Sequence, residues 1–209
     1  MKENVTKRPG RPKSPEKAAA IRHAAADLFM ADGMERTSMD AIAAAAGVSK
    51  QTVYSHFKSK DDLFRSCVAS KINMYSLDAA QLTSNGDIDS FLRHVGRQYL
   101  TLLSDPGVIR MFRLMASQAD SQPESARSFH QTGPITTAHN IGKVISTHLP
   151  DRPDNDRLAA RATSEFLALV RGDYFLELIL GTREQIPAPE MDKHIENCIS
   201  QLHKLYKLT

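Results

Sequence analysis

An all-α fold is expected for this chain, a small three-helix unit followed by a larger helical bundle, and three observations predict it. Apolar residues recur at helical spacing through long stretches, while strand-like alternation bounded by paired turn signals is missing. Serines, glycines and prolines stand where helices should start and stop. Residues 37–64 compress a helix, a glycine turn, a second short helix and the start of a third into one run. With 209 residues the chain is long enough for one good core or two small domains.

Residues 1–14 read as a basic tail. Lys2, Lys7, Arg8, Arg11 and Lys13 stand among Pro9, Gly10 and Pro12, which argues against packed structure. The stretch Arg8-Pro9-Gly10-Arg11-Pro12 resembles the Gly-Arg-Pro core of an AT-hook, whose arginines enter narrow minor grooves; a solvated tail is the plainer alternative. From Pro15 a first helix runs to about Asp32, with Ser14 as its cap and Ile21, Ala24, Ala25, Leu28 and Phe29 as its buried stripe. Gly33 ends it.

Thr37 or Ser38 caps a second helix, and Asp40 favours its partly positive start. Met39, Ile42, Ala43 and Ala46 form its inner stripe, and the small alanines let a neighbouring helix come close. Gly47 supplies the left-handed residue that stops this helix. Ser49 caps a third, with Val53, Tyr54 and Phe57 inward and Lys50, Gln51, Thr52, Ser55 and His56 outward. An apolar back, a polar front and a tight turn to the preceding helix describe a helix-turn-helix reader of the DNA major groove. A fourth helix starts at Ser59 and continues to about Leu82, long enough to link this unit to the next.

Beyond Asp87 helices are expected at about 88–104, 106–119, 122–148, 154–181 and 189–207, separated by prolines that deny the helix a donor. Gly133-Pro134 should kink or split the third of these. The organisation is therefore a tail over 1–14, a helix-turn-helix DNA-binding domain over 15–60 and a helical domain over 61–209.

Charge follows the same division. The net charge is +3, yet residues 1–60 carry eleven Lys/Arg against six Asp/Glu, so the positive potential sits on the unit with the motif. The first residues of a groove-inserted helix meet the bases, which makes Lys50, Gln51 and Thr52 the candidate readers. Ser49 stands at the same helix start. Thr37, Ser38, Tyr54, His56, Lys58 and Lys60 are the candidate phosphate contacts, with Arg8 and Arg11 added from the tail. For Tyr54 and His56 the alternatives are plain packing and an ordinary surface histidine.

Other classes find little support. The polar, proline-rich N-terminus has no apolar core for a signal peptide, so a cytoplasmic location is expected. The run Phe166–Leu180 is too short to span a bilayer and contains Arg171, Asp173 and Glu177. Cys67 and Cys198 lie far apart, without metal or disulfide spacing. His194 and Cys198 stand four apart on a helix and could supply two ligands, with a plain surface pair as the simpler reading. No phosphate loop or nucleophile elbow appears, so neither an enzyme nor a cofactor or metal is expected. A DNA-binding regulator or architectural protein without a small ligand, controlled by a partner protein, is the rival reading.

The continuation Tyr54-Ser-His-Phe57-Lys-Ser-Lys-Asp-Asp-Leu-Phe64 resembles the TetR family of transcriptional repressors, over roughly residues 16–65. The resemblance implies DNA contacts at the positions named above, a homodimer and a ligand-binding C-terminal half. The helix at 154–181 is apolar nearly all round, and Ile195, Ile199, Leu202 and Tyr206 add an apolar stripe to the last helix. Two helices from each subunit would then form a four-helix dimer interface, placing two reading helices on a near-palindromic site. The resemblance further implies a pocket for a small apolar or amphipathic ligand. Candidates are Tyr99, Leu103, Met111, Phe112, Met115, Phe129, Phe166, Val170 and Tyr174, with Gln131, Asn140, Arg171 and Asp173 as polar contacts. Plain core is the alternative for the apolar members. Phe166-Leu-Ala-Leu-Val-Arg-Gly-Asp173 also resembles the C-terminal half of AefR-like regulators. A ligand preferring the wrong spacing of the reading helices would shift the population away from operator binding.

Overall fold

The computed structural model describes residues 14–77, 87–149 and 153–206, and among these every regular element is a helix. The chain divides into two compact units, residues 1–64 and 65–209.

In the first unit, α1 (Pro15–Arg36), α2 (Met39–Ala45), α3 (Lys50–His56) and the start of α4 (Lys60–Met74) enclose a small core. Ser14 caps α1 by accepting from the Lys17 N–H, and Gly33, at φ +79°, breaks it before a last turn to Arg36. Ile21, Ala25, Ile42, Val53, Leu63 and Phe64 are fully buried. Phe29 meets Phe64 edge to face with ring centroids 5.7 Å apart, an arrangement aromatic pairs favour. Leu63 and Phe64 explain why the division falls after Phe64 and not after Lys60, the boundary expected from the sequence: the opening turn of α4 is part of this core.

The second unit is a bundle of α5 (Ile88–Ser104), α6 (Pro106–Ser117), α7 (Pro123–His130), α8 (Thr136–Ser146), α9 (Asn155–Arg171), α10 (Tyr174–Leu180) and α11 (Ala188–Tyr206), joined by the rest of α4. Helices α8 and α9 pack along each other, and α11 lies against α5 and α9. Leu92, Leu100, Ile141, Ile145, Phe166 and Leu178 are buried at its centre.

Three elements differ from their sequence-based spans. The helix expected to reach Leu82 stops at Met74, where Ser76 takes a positive φ of 54°; residues 78–82 lie outside the described set. The span 122–148 is divided by a π-helical turn, Gln131–Ile135, at the expected Gly133-Pro134 site. Pro134 has no N–H to give, so the backbone widens there, and the Thr136 hydroxyl donates to the Gln131 carbonyl at 2.8 Å. The span 154–181 breaks at Gly172, whose φ of +45° and ψ of −145° no helix accommodates. Arg171 and Asp173 therefore sit at an exposed break and not inside an apolar helix.

A long-range polar frame holds this bundle. Asp105 accepts from the Gly107 and Val108 N–H groups at the start of α6, from the Tyr75 hydroxyl at 2.6 Å and from the Lys71 ammonium at 2.8 Å. Burial pushes the Asp105 carboxyl up, but the hydrogen bonds from Lys71, Tyr75 and the Val108 N–H outweigh it, and the net shift is down. Tyr75, half-buried and donating to that carboxylate, is pushed up to about 12. Arg113 donates to the Ile179 and Leu178 carbonyls at the end of α10, and Arg183 bridges Glu177 and Glu190. Between α5 and α11, Asp89 pairs with His203, Arg93 with Glu196 and Arg97 with Asp192.

Candidate nucleic-acid interface

The turn between α2 and α3 is built from local signals. Ser38 Oγ accepts from the Ala41 N–H at 3.0 Å and starts α2. At its end Gly47 takes φ +64°, its N–H donates to the Ala44 carbonyl and the Val48 N–H reaches back to Ala43 at 3.0 Å. That double closure is the Schellman arrangement, and it leaves Ser49 extended and ready to cap α3 through the Thr52 N–H at 3.1 Å. Val53 and Phe57 then point inward, at 0% and 6% exposure, and fix which face of α3 looks out.

The outward face carries Lys50, Gln51, Tyr54 and Ser55, all exposed, with Thr52 and His56 half-buried at its margins. The apolar stripe places Tyr54 inward, while its hydroxyl is also a candidate phosphate contact. The residue is 47% exposed and falls on the polar face. The Ser49 and Thr52 hydroxyls lie 2.9 Å apart, and Ser55 donates to the Thr52 carbonyl. Lys50 reaches across to α2: its ammonium is 2.8 Å from Asp40 Oδ1 and 2.9 Å from Oδ2. The hydrogen bond to Asp40, then its charge, raises the Lys50 pKa, so Lys50 stays fully charged.

The remaining candidates separate into two kinds. Ser38 and Lys58 are exposed and available to a phosphate. Thr37 is 2% exposed and its hydroxyl donates to the Gly33 carbonyl at 2.8 Å, so its side chain stitches α1 to α2. The Lys60 ammonium donates to the Glu35 and Thr37 carbonyls at 3.0 Å each, where it closes the orphaned end of α1. Arg8 and Arg11 lie outside the described residues.

In the second unit the ligand candidates scatter more widely. Phe166, Val170, Leu103 and Met115 are core, while Met111 and Asn140 are half-buried. Tyr99 is mostly enclosed, and burial pushes its phenol up. Phe112 meets Phe129 and Phe175 edge to face, at 5.0 and 4.9 Å between centroids, and all three rings remain half-buried. Arg171 stands 5.9 Å from the Phe175 ring centre. Asp173 and Gln131 are exposed. Tyr174 donates to Glu190 at 3.0 Å under the Arg183 guanidinium, committed to the frame described above. Sequence reasoning missed Phe175 and the buried, unpartnered Gln118 Oε1; Phe175 follows Tyr174 in an aromatic pair, but only tertiary packing joins it to Phe112.

His194 and Cys198 are not a surface pair: Cys198 is buried and His194 half-buried, with 3.6 Å from Nε2 to Sγ, yet Nε2 also lies 3.0 Å from the Leu169 and Val170 carbonyls. A ring nitrogen facing two carbonyls carries its proton and closes the end of α9. Burial pushes the Cys198 thiol up to about 11. Among the described residues no group of three metal-ligating side chains forms, and no helix is long and apolar enough to cross a membrane.

Residues 21–67 match the tetR family of bacterial regulatory proteins, and residues 90–207 match the C-terminal domain of AefR-like transcriptional repressors. Over 117 residues the chain is 27% identical to the uncharacterized HTH-type transcriptional regulator YezE of Bacillus subtilis (strain 168), covering 54% of this chain and 60% of that one. The fold is similar to that of the flavonoid-responsive regulator FrrA, with a TM-score of 0.71, 29% identity, and 92% and 97% of the two chains covered. It is also similar to a protein of Mesorhizobium loti MAFF303099 grouped with the TetR regulators, with a TM-score of 0.70, 23% identity, and 94% and 99% covered. A three-helix DNA-binding unit with a polar, outward α3, matched over its length to one family and followed by that family's AefR-like C-terminal domain, leaves one assignment: the chain belongs to the TetR family of DNA-binding transcriptional regulators.

Proposed function

We propose that this regulator is a repressor that binds a near-palindromic operator as a homodimer and is released by a small apolar or amphipathic ligand. The observation that carries the DNA half is the outward face of α3, where Lys50, Gln51 and Thr52 stand at the helix start beside an exposed Tyr54. Lysine donates to guanine, glutamine pairs with adenine and the threonine methyl touches thymine. Ser38, Tyr54, His56 and Lys58 hold phosphates around them. Thr37 and Lys60 act indirectly, by fixing the α1–α2 junction.

Dimerisation through the last helices is supported by α10, whose Leu176 and Leu180 are 60% and 66% exposed one turn apart. Leu176→Glu with Leu180→Glu should shift the protein to monomer in sedimentation and weaken operator binding. The ligand half is supported by the half-buried trio Phe112, Phe129 and Phe175, rings that would take an aromatic or amphipathic molecule. The similar FrrA is a flavonoid-responsive regulator, which makes planar aromatic molecules the first set to test. A cytoplasmic location accords with operator binding.

The deciding experiment is footprinting on fragments bearing the promoter beside the chain's own gene, at two salt concentrations, with and without an aromatic panel. A palindromic footprint that one panel member dissolves supports both halves. Uniform, salt-sensitive protection with no preferred site contradicts the operator and favours the architectural reading.

A further inference from the structure

Lys50 is the only lysine or arginine in α3, and it does not point its charge freely at solvent. Its ammonium rests between both oxygens of Asp40, an α2 side chain ten residues earlier, at 2.8 and 2.9 Å. Both side chains are exposed, at 59% and 63%, so the pair lies on the surface and is open to competition. The rest of the outward face, Gln51, Thr52, Tyr54, Ser55 and His56, offers hydrogen bonds and no permanent charge. The nearby Lys60 ammonium is likewise held, by the carbonyls of Glu35 and Thr37.

We propose that Asp40 limits the affinity of α3 for DNA of any sequence, because Lys50, the one permanent cation of the helix, must leave that carboxylate before it engages either a phosphate or a base edge. The inference rests on α3 being the reading helix. Two carboxylate oxygens present the same pair of acceptors that guanine presents through O6 and N7. On unrelated sequence, leaving Asp40 for a phosphate trades one anion for another, and Lys50 releases no additional counterion. On the operator, Gln51 and Thr52 set the helix in register, and the directed contact Lys50 makes there is gained only by giving up the same carboxylate. Asp40 thus lowers operator affinity at least as much as non-specific affinity, and sets the strength of binding, not the preference between sequences.

The test is a double-mutant cycle of Asp40→Asn and Lys50→Gln, with Asp40→Ser as a second neutral variant and unchanged thermal midpoints required of all. Binding is titrated against salt on a random-sequence duplex and on the footprinted palindrome. Asp40→Asn should raise affinity for the random duplex roughly three- to fivefold at low salt. It should also steepen its salt dependence by about one phosphate contact. Operator affinity should rise at least as much, because Lys50 no longer gives up a carboxylate there, so the specificity ratio does not fall. In the Lys50→Gln background the same change should do little. An equal gain with or without Lys50 would mean Asp40 merely repels phosphate, and overturns the proposal. Weaker operator binding at constant random affinity would make Asp40 an orienting partner, and overturns it too. The random-duplex arm reads the coupling even if no operator is found, so failure here and failure of the operator reading are distinguishable.

Discussion

The two units differ in how their geometry is encoded. From Thr37 to Phe64 nearly every device is local: Ser38, Ser49 and Ser59 each accept from an N–H three residues on, and Gly47 closes α2 with a left-handed residue. In the bundle the decisive contacts join distant residues, such as Tyr75 with Asp105, Arg113 with Ile179, Arg93 with Glu196 and Tyr206 with Glu165. Caps and turns written locally need no distant contact to set them. Distant polar pairs hold the bundle's helices together, and a ligand of the proposed kind would act on such contacts.

That contrast can be broken at several points, beginning with the largest effect. Phe166→Ala removes a fully buried ring from the bundle and should cost about 3–5 kcal/mol in denaturant unfolding. Asp105→Ala removes the cap of α6 and strands Lys71 and Tyr75; about 2–3 kcal/mol is expected, far more than one cap alone supplies. A loss near 1 kcal/mol would show that the hub is no more than a local cap. In the first unit, Gly47→Ala meets nothing within 4 Å, so its cost is conformational alone, about 1–2 kcal/mol. Ser49→Ala should cost about 1 kcal/mol by loss of one cap.

The pH response sharpens the same point. Asp105 is depressed in the native state, so its contribution is complete above the ordinary carboxylate range. It is lost as pH falls through the native value. Tyr75, raised to about 12 from 10.0, contributes fully below 10 and loses that contribution as pH climbs towards 12. Unfolding curves should therefore weaken at both ends, and Asp105→Asn should flatten the acid limb. An acid limb unchanged in the variant would assign the sensitivity to other carboxylates.

Legibility followed the encoding. Caps, glycine stops and the apolar stripe made α1 to α3 readable, with Val53 and Phe57 inward as the spacing required. Tyr54 is legible as a candidate DNA contact but not in its placement: its neighbours on the stripe suggest burial, while the turn of α3 carries it to the polar face. Thr37 and Lys60 looked like surface donors; only the tertiary approach of α1's end shows them turned onto backbone carbonyls. In the bundle the helices were visible but their breaks less so. A glycine between Arg171 and Asp173 was read as part of a continuous helix because the apolar run continued past it. The Phe112, Phe129 and Phe175 trio joins α6, α7 and α10, and no spacing along the chain reveals such a meeting.

The central claim, that the outward face of α3 reads a defined operator, is tested most directly by footprinting the chain's own promoter with Gln51→Ala and Tyr54→Ala beside the unaltered protein. The account predicts a two-fold symmetric footprint whose preferred bases change with Gln51→Ala and whose strength drops uniformly with Tyr54→Ala. Identical footprints from all three proteins would contradict it, and would move the reading surface off α3.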